Sequence, residues 1–373
     1  MKICYVADGI SIHTQRWVNY FASKGHEVHL ISYQFPSGYE GFDKRIEMHW
    51  LIRLLPQVWK ASRYFSGALW LFQVRRMVNK IQPDILDAHY ITLYGYLGVA
   101  AGFHPLVLSA WGSDILIDAQ QNPIYRFFTR IALKRADRII CVSSLLKEEL
   151  AKLGVAPERV EITSIGVDTQ RFSPKLKNKA LLQKLGMADS PVVISTRSLA
   201  PVYEVETLIK AIPAVLSEVP EAKFIIVGEG RQRTYLENLA KSLGISKSIK
   251  FTGWVSKEEF PNYLASSDVY VSTSLSDGTS ISLLEALASA LAPVVTDIPA
   301  NRPWIKDGEN GFLIPIGDCD MLAKRIVLLL KEKDSRSRFG SMGRNIAMDR
   351  AEFENQMSLV ERTYEELKLA RED

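Results

Sequence analysis

Two carboxylates, Asp277 and Glu285, lie either side of a glycine and several hydroxyl-bearing residues in the segment SDGTSISLLEALASALAPVVTDIP, residues 276–299. The apolar run before this segment and the leucines within it predict a strand, a turn at Gly278 and the start of a helix. Amides at the start of a helix bind phosphate groups, because they lie at the positive end of the helix dipole. Here those amides belong to Thr279, Ser280 and Ile281.

The two carboxylates cannot favour phosphate, so we expect them to bind a neutral group that is rich in hydroxyls. Each hydrogen bond from such a hydroxyl to an ionised acid contributes about 1.5 to 3 kcal/mol to binding. A phosphate site beside a hydroxyl site indicates a nucleotide sugar as the ligand.

The elements that must position these residues alternate along the chain between short apolar strands and amphipathic helices. This alternation predicts parallel sheets that helices cover on both faces. It restarts after the polar stretch SPKLKNKA, so we predict an α/β fold, with two Rossmann-like, doubly wound domains that face each other across a cleft. Ligands of such sheets bind outside the carboxyl ends of the strands, which places the chemistry in that cleft. The predicted domains are residues 1–172 and 173–350, and a C-terminal helix in 351–373 is expected to pack back on the first domain.

The composition is that of an ordinary globular protein, with 373 residues of which 47% are hydrophobic and 24% charged. The chain begins directly with a strand pattern, and no uncharged run reaches the roughly 18 residues that span a bilayer. We therefore expect a cytoplasmic protein. Cys4, Cys141 and Cys319 lie far apart without metal-binding spacing, so they indicate neither a disulfide framework nor a metal site.

The net charge of +4 arises from an excess of bases in the first 172 residues. Between Glu47 and Asp84 there is no acid, and aromatic and leucine residues alternate with six bases, Arg53, Lys60, Arg63, Arg75, Arg76 and Lys80. This pattern is typical of a segment that docks reversibly on an anionic membrane surface, here the inner face of the membrane, with about 1 kcal/mol from each base. A solvated helix face over a core stripe is an equally open interpretation. Nucleic acid is disfavoured as a partner, because no binding motif accompanies the bases.

Further candidates follow predicted strands, where the residues of a cleft belong. Arg197 comes directly after the strand PVVIS, in a place to hold a diphosphate as a bidentate fork. Trp111 lies in the turn AWGSD, and His13 and His89 also follow strands, although isolated histidines often have a structural role. Gly228 opens a turn after the strand KFIIV, and we expect it to line the floor of the cleft.

Two further motifs suggest chemistry that we do not expect here. Gly228 and Gly230 lack the third glycine of a dinucleotide fingerprint, which argues against a dehydrogenase. Asp318 and Asp320 have the D-x-D spacing of some metal-dependent sugar transferases, but they precede the helix MLAKRIVLLL, where an acidic N-cap belongs. We therefore predict no metal and no other cofactor.

Over nearly its whole length the sequence resembles the retaining glycosyltransferases of family 4, which use nucleotide sugars and have the GT-B fold. The resemblance is carried by GHEVHLIS, SIGVDTQRFSP, RSLAPVYEVETLIKAI, FIIVGEG, FTGW and the segment from Asp277 to Glu285 with LEALA and APVVTDIP. In that family the two acids are glutamates separated by seven residues. The spacing is kept here, with Asp277 in the first place.

The resemblance implies a role for each matching residue. Glu285 would hold the ribose hydroxyls, while Asp277 and the amides after Gly278 would meet the donor sugar and the phosphates. Arg197 would neutralise the leaving diphosphate. The leaving phosphate would help to deprotonate the acceptor on the same face of the sugar, so catalysis would rest on positioning and electrostatics without a protein nucleophile. The acceptor would be an envelope glycan or a lipid-linked saccharide.

Two positions depart from the family pattern. Where the family has a lysine before the helix, this chain has Tyr203 followed by Glu204, which removes a positive charge near the diphosphate. Where the family has the histidine of an HGSD-like turn, this chain has Trp111. Tryptophan stacks on a sugar face but cannot make the same hydrogen bonds.

These departures leave alternatives beside the transferase. A degenerate GT-B protein would bind a nucleotide sugar or a partner without catalysis. A GT-B epimerase would use a different set of cleft acids, without the signature from Asp277 to Glu285. The residues expected at the site fall into three groups, which are catalytic (Asp277, Arg197, Trp111), donor-binding (Glu285, Gly278, Thr279, Ser280, Ile281, Gly228, Tyr203) and acceptor-side (His13, His89).

Overall fold

A computed structural model of the protein describes residues 1–52, 62–121 and 123–372, and for residues 62–68 it describes the backbone alone. The chain divides into two compact units. The N-terminal unit consists of Met1–Ser164 with Gln356–Asp373, and the C-terminal unit of Ile165–Asn355. Each unit has its own parallel sheet, which confirms the predicted α/β class with two Rossmann-like domains.

In its described part, the N-terminal unit contains seven strands and, before the last helix of the chain, six α-helices. The strands are β1 (Lys2–Val6), β2 (Glu27–Ser32), β3 (Glu47–Trp50), β4 (Ile85–His89), β5 (Leu106–Ala110), β6 (Arg138–Cys141) and β7 (Val160–Ile162). The helices are α1 (Ile12–Ser23), α2 (Ser62–Ile81), α3 (Tyr96–Ala101), α4 (Ser113–Leu116), α5 (Pro123–Arg135) and α6 (Ser144–Lys152). The sheet order is β3-β2-β1-β4-β5-β6-β7. Its central strands β1, β4 and β5 are mostly apolar and almost wholly buried, as in parallel sheets with both faces covered, although β4 also carries the buried residues Asp87 and His89.

The C-terminal unit contains six strands and seven helices. The strands are β8 (Val192–Ser195), β9 (Lys223–Val227), β10 (Ile249–Gly253), β11 (Val269–Ser272), β12 (Ala292–Thr296) and β13 (Phe312–Ile314). The helices are α7 (Lys179–Lys184), α8 (Val205–Glu218), α9 (Arg233–Ser242), α10 (Phe260–Ala265), α11 (Ile281–Ala288), α12 (Cys319–Lys331) and α13 (Lys333–Arg350). The sheet order is β10-β9-β8-β11-β12-β13. Successive residues of β8 enter two different hydrophobic clusters, so this sheet is also covered on both faces.

The last helix is α14 (Phe353–Glu372), most of which belongs to the N-terminal unit. Its Tyr364 is fully buried and donates a hydrogen bond to Asp87 of β4. Arg371 donates to the carbonyl of Pro83 at 3.2 Å. The sequence placed a C-terminal helix within residues 351–373, and α14 starts at Phe353 after a break that follows α13.

The sequence also placed the domain boundary after residue 172, whereas the two units divide between Ser164 and Ile165. Hydrogen bonds explain the difference. The N–H of Val167 donates to Ala351 at 2.7 Å, and its carbonyl accepts from Phe353 at 3.0 Å. This segment is therefore tied to the C-terminal unit before the polar stretch begins.

Helix α13 was not predicted, because it contains two glycines. Each glycine in a helix interior lowers helix stability by about 1 kcal/mol relative to alanine. The structure gives them a packing role. A Cβ at Gly340 would overlap the carbonyl oxygen of Ala290, and one at Gly343 would lie 2.6 Å from the side chain of Leu287. The glycines therefore allow α13 to approach α11 closely.

The D-x-D motif caps a helix, as the sequence predicted. Asp318 is the N-cap of α12, and its Oδ1 accepts the N–H of Met321 at 2.8 Å, which confirms the capping interpretation. Among the residues that the structure describes, no helix is both long enough and apolar enough to cross a membrane.

Candidate active site

The turn that follows β11 carries most of the predicted donor-binding residues. Gly278 is half-buried, Thr279 and Ser280 are buried, and α11 begins at Ile281. Ser280 is the N-cap of this helix, and its Oγ accepts the N–H of Leu283 at 3.3 Å. The predicted strand, turn and helix start are therefore confirmed.

Arg197 follows β8, and its guanidinium group lies against this turn with only 8% of the residue exposed. Its Nη2 donates to Asp277 Oδ2 at 2.6 Å. Its Nη1 donates to Ser280 Oγ at 2.8 Å and to Ser282 Oγ at 2.7 Å. Burial alone would lower the pKa of Arg197, but the charge of Asp277 and the hydrogen bond to it raise that pKa above its usual value. Arg197 is therefore held as a buried cation at the carboxyl end of the sheet.

The carboxylate of Asp277 is fixed from two sides. Arg197 holds Oδ2, and the N–H of Gly278 donates to Oδ1 at 3.0 Å. The side chain keeps 18% of its surface exposed. An oriented carboxylate that still has lone pairs toward solvent is suited to accept hydrogen bonds from hydroxyl groups.

Tyr203, which replaces the family's lysine, lies against Arg197. The guanidinium carbon is 4.1 Å from the centre of the Tyr203 ring, a cation–π contact. The carbonyl of Tyr203 accepts the hydroxyl of Thr273 at 3.2 Å, which anchors the turn Pro201–Tyr203 to the end of β11. Tyr203 therefore covers the existing cation with an aromatic face and does not supply a second charge.

Gly228 supports the backbone of Arg197. Its φ is +140°, and a Cβ there would lie 2.7 Å from the carbonyl oxygen of Arg197. Its N–H donates to the carbonyl of Gly253 at 3.0 Å. Only a residue without a side chain allows the loop after β9 to approach the Arg197 strand end this closely.

Sequence reasoning missed two hydroxyl groups of this site, those of Ser282 and Tyr270. Ser282 Oγ accepts from Arg197 and also from the hydroxyl of Tyr270 at 2.9 Å. Tyr270 is fully buried, and burial raises its pKa, so it stays a neutral donor. The S-I-S spacing of Ser280 and Ser282 was a usable signal, whereas Tyr270 in the strand VYVS was indistinguishable from a core residue.

Glu285 lies on α11 and is half-buried. Among the described residues, neither Glu285 nor Asp277 belongs to a cluster whose atoms are close enough to hold a metal ion together. The carboxyl ends of β8 and β11 therefore present three groups to a ligand, namely the buried guanidinium of Arg197, the oriented carboxylate of Asp277 and the N-terminus of α11.

In the N-terminal unit the structure brings together His13, His89 and Trp111. The rings of His13 and Trp111 are stacked with centres 5.2 Å apart, and His89 meets Trp111 edge-on at 5.3 Å. Trp17, which sequence reasoning missed, packs edge-on against Trp111 at 5.4 Å. Its position four residues after His13 on α1 places both side chains on one helix face, which was the available signal.

The two histidines of this cluster have different surroundings. Burial lowers the pKa of His13 to about 4, with a smaller contribution from the charge of Arg16, so its ring is neutral near pH 7. For His89, within the described residues, neither ring nitrogen has a hydrogen-bond partner. The nearest carboxylate is Asp87, whose Oδ2 lies 3.6 Å from Nε2 of His89 and is already bonded to Ser109 and Tyr364.

Asp114 shapes the Trp111 turn, and sequence reasoning noted it only as part of AWGSD. This fully buried carboxylate accepts backbone N–H groups from Ile91 at 3.0 Å, Gly112 at 2.9 Å and Trp111 at 3.2 Å. Burial raises its pKa even though these hydrogen bonds act in the opposite direction. Asp114 therefore orients the backbone that carries the Trp111 ring.

Two family profiles match the sequence. The profile for glycosyl transferases group 1 matches residues 178–346, and the profile described as glycosyl transferase 4-like matches residues 2–143. The first profile covers all six strands of the C-terminal sheet, and the second covers β1 to β6 of the seven-stranded N-terminal sheet.

Named relatives include sugar transferases of bacteria. The chain is 27% identical to a GDP-mannose-dependent alpha-(1-6)-phosphatidylinositol monomannoside mannosyltransferase of Mycolicibacterium smegmatis, over 82% of this chain and 80% of that protein. It is 29% identical to a UDP-Gal:alpha-D-GlcNAc-diphosphoundecaprenol alpha-1,3-galactosyltransferase of Escherichia coli, over 56% of this chain and 55% of that protein.

Solved structures share the fold. HepE of Anabaena, determined in complex with UDP, superposes with a TM-score of 0.83 over 98% of this chain and 100% of that chain, at 19% identity. A sucrose-phosphate synthase from Thermosynechococcus elongatus superposes with a TM-score of 0.84, over 99% and 100% of the two chains, at 16% identity.

Proposed function

The chain belongs to the group 1 glycosyltransferases, which have the GT-B fold, and from this premise we propose that it moves a sugar from a nucleoside diphosphate donor to a saccharide acceptor with retention of configuration. The observation that carries the proposal is the pair of Arg197 and Asp277 beside the N-cap of α11. A ligand that presents both an anionic diphosphate and neutral hydroxyls satisfies this pair. A free phosphate would also contact Arg197 and the amides of α11, but it would meet the repulsion of Asp277 without offering sugar hydroxyls to that carboxylate.

In the proposed reaction the bond between the anomeric carbon and the diphosphate oxygen breaks, and a bond to the acceptor oxygen forms on the same face. The leaving phosphate takes the acceptor's proton. Arg197 and the amides at the start of α11 offset the charge that develops on the diphosphate. Asp277 holds a hydroxyl of the donor sugar, and Glu285 holds the ribose. No step requires a metal ion, because the guanidinium and the amides supply the positive charge.

For the acceptor we propose an envelope glycan or a lipid-linked saccharide. Support comes from the two named relatives, whose acceptors are a phosphatidylinositol mannoside and a diphosphoundecaprenol-linked sugar. The stacked rings of Trp111 and His13 offer a platform of the kind on which sugar faces pack. The comparisons give no support to the non-catalytic alternative.

We further propose that the enzyme works in the cytoplasm at the inner face of the membrane. Arg53 and Lys60 of the predicted basic segment lie outside the described residues, as does the side chain of Arg63. On α2, an exposed patch combines apolar and basic side chains, those of Leu71, Phe72, Arg75 and Arg76. Such a patch fits an anionic interface.

Helix α5 adds to this surface, and the sequence had not singled it out. Ile124 is 68% exposed, Phe127 60% and Phe128 50%, although large apolar side chains are costly to leave in water. Arg126 and Arg130 are exposed on the same helix. Both α5 and α2 contact α3, so the two patches flank one helix of the N-terminal unit.

The test is a donor panel of UDP-, GDP- and ADP-sugars, in which nucleoside diphosphate release and donor Kd are measured. The wild type is compared with Glu285→Ala and with Glu309→Ala, a control that removes a surface glutamate of the same unit. We expect slow release from one donor by the wild type and the control, and its loss in Glu285→Ala. Equal donor Kd in all three proteins would contradict the proposed site.

A further inference from the structure

A cluster of two histidines and two glutamates lies on β2 and β3, outside the sugar-transfer site. In the parallel register His29 pairs with Glu47, and Ile31 pairs with His49. Side chains two residues apart on a strand project from the same face of the sheet. His29, Glu47 and His49 therefore share one face at the edge of the N-terminal sheet, where β3 is the last strand.

Three ligand atoms of this cluster converge. His29 Nδ1 lies 3.0 Å from His49 Nε2 and 3.4 Å from Glu47 Oε2. One ligand atom from each of the three residues falls within 4.8 Å of the others. Ligands that bind zinc at about 2.0 to 2.1 Å with tetrahedral angles stand about 3.3 Å apart. The two short separations bracket that value.

A fourth residue orients the central histidine. Glu27 Oε1 lies 3.1 Å from His29 Nε2, so His29 donates its Nε2 proton to this carboxylate. The same oxygen of Glu27 is held by Lys2 at 2.9 Å. With the proton on Nε2, the lone pair of His29 is on Nδ1, the atom that faces His49 and Glu47. A carboxylate on the far nitrogen of a histidine is the usual outer partner of a metal ligand.

We propose that His29, Glu47 and His49 bind a divalent transition-metal ion, with zinc as the best match and water as the fourth ligand. Imidazole and carboxylate together suit zinc and its neighbours in the series. His29 is 5% exposed, whereas Glu47 is exposed, so an ion reaches the site from solvent through Glu47. The ligand residues lie up to 20 positions apart on two strands, which is why no metal-binding spacing appears in the sequence.

The site has a structural consequence that is separate from sugar transfer. Glu27 and Glu47 are the first residues of β2 and β3, so these two carboxylates lie at the amino ends of the parallel strands. Trp111 follows the carboxyl end of β5, which is the opposite end of the sheet. The ion would join the four-residue edge strand β3 to β2. Any ion that binds the folded state alone raises its stability, so zinc would stabilise the N-terminal unit without entering the catalytic step.

The alternative is a hydrogen bond in which His49 Nε2–H donates to His29 Nδ1 with no ion between them. This pair needs no metal and predicts none. A metal site predicts stoichiometric zinc binding and an unfolding temperature that rises with added zinc. A hydrogen-bonded pair without an ion predicts neither result.

The experiment uses tag-free, full-length protein that has been stripped of metal and dialysed against zinc. Bound zinc is measured by elemental analysis, its affinity by competition with a chromophoric chelator, and its coordination by the visible spectrum of the cobalt form. Variants are Glu47→Gln, which changes an exposed side chain, and His49→Gln. The control is His104→Gln, which removes a histidine of the same unit that pairs with Asp137.

We expect one zinc per chain in the wild type and in His104→Gln, a four-coordinate cobalt spectrum, and a raised Tm with zinc. Affinity should fall more than tenfold in Glu47→Gln and His49→Gln. Glu27→Gln should lose about 10- to 100-fold in affinity while it keeps the stoichiometry. Absence of stoichiometric zinc in the wild type, or equal affinity in the control and the two ligand variants, would overturn the proposal.

Discussion

Arg197 and Asp277 form an ion pair with 2.6 Å between Nη2 and Oδ2, although they are separated by 80 positions in the sequence. They meet because they follow β8 and β11, which are neighbours in the sheet of the C-terminal unit. Arg197 does more than form this ion pair, since it also donates hydrogen bonds to two serine hydroxyls at the start of α11.

Arg197→Ala should lower both activity and stability. The change removes the cation proposed for the leaving diphosphate, so kcat/KM should fall by about 10²- to 10³-fold, the usual effect of losing one such donor. It also leaves Asp277 partly buried without its partner, which should cost about 3 kcal/mol in the free energy of unfolding. Arg302→Ala removes an exposed arginine that is paired with Asp297 and should change neither quantity measurably. Unchanged kcat/KM in Arg197→Ala would remove this residue from the proposed mechanism.

The contact of Arg197 with Tyr203 predicts a difference between two substitutions. Tyr203→Phe keeps the aromatic face over the guanidinium and should retain the wild-type unfolding free energy. Tyr203→Leu loses the cation–π contact and should be about 1 kcal/mol less stable than Tyr203→Phe. Chemical denaturation with a common m-value measures the difference. If the leucine and phenylalanine variants are equally stable, the contact has no energetic role.

Because Trp111 stacks on His13, an acceptor-side candidate, we propose that it acts on the acceptor, although the sequence analysis grouped it with the catalytic residues. Trp111→Ala should raise KM for the acceptor by about tenfold through loss of a stacking platform, and it should leave the donor Kd unchanged. Trp111→Phe should lie between the alanine variant and the wild type. Trp254→Ala is the matched control, because Trp254 is 80% exposed in the other unit. A loss of donor binding in Trp111→Ala would instead assign this residue to the donor.

The depressed pKa of His13 predicts a pH dependence of stability. In the unfolded chain His13 has its ordinary value of 6.5, and in the folded protein the pKa is about 4. Between these values the unfolded state binds more protons, so this contribution to stability falls as the pH drops from 6.5 to 4, by up to about 1.4 kcal/mol per pH unit. His13→Gln should have a flatter profile in that window. The readout is the unfolding free energy of wild type minus variant across the window, with His104→Gln as the control. A difference that does not change with pH would contradict burial of the neutral ring.

The exposed face of α5 predicts membrane binding. Wild-type protein should sediment with anionic vesicles at low salt and much less with neutral ones. Arg126→Ala and Arg130→Ala should each weaken binding about fivefold, because each base near the surface is worth about 1 kcal/mol. Phe127→Ser should weaken it through lost apolar burial, whereas Leu369→Ser, at an exposed position on α14, should not. Equal partition of the wild type between both vesicle types would exclude the anionic surface as a partner.

Much of the fold and part of the site were accessible from the sequence. The strand and helix periods predicted both parallel sheets, since each strand of such a sheet is a short apolar run followed by an amphipathic helix. The start of α11 and the cap at Asp318 were equally local, because a cap uses its own side chain on an amide three residues away. Helix α13 was missed because Gly340 and Gly343 are explained only by what packs against them.

The features that could be read from the amino-acid sequence alone are therefore those that depend on neighbours along the chain, namely the parallel α/β class, the turn at Gly278 and the spacing of Asp277 and Glu285. Three contacts became visible in the folded chain alone, namely those of Arg197 with Asp277, of Tyr203 with the Arg197 guanidinium and of His13 with Trp111. These contacts join residues on separate elements, and their partners are set by strand order. Periodicity reveals that a strand exists but not which strand lies beside it, because any apolar strand pairs through the same backbone hydrogen bonds.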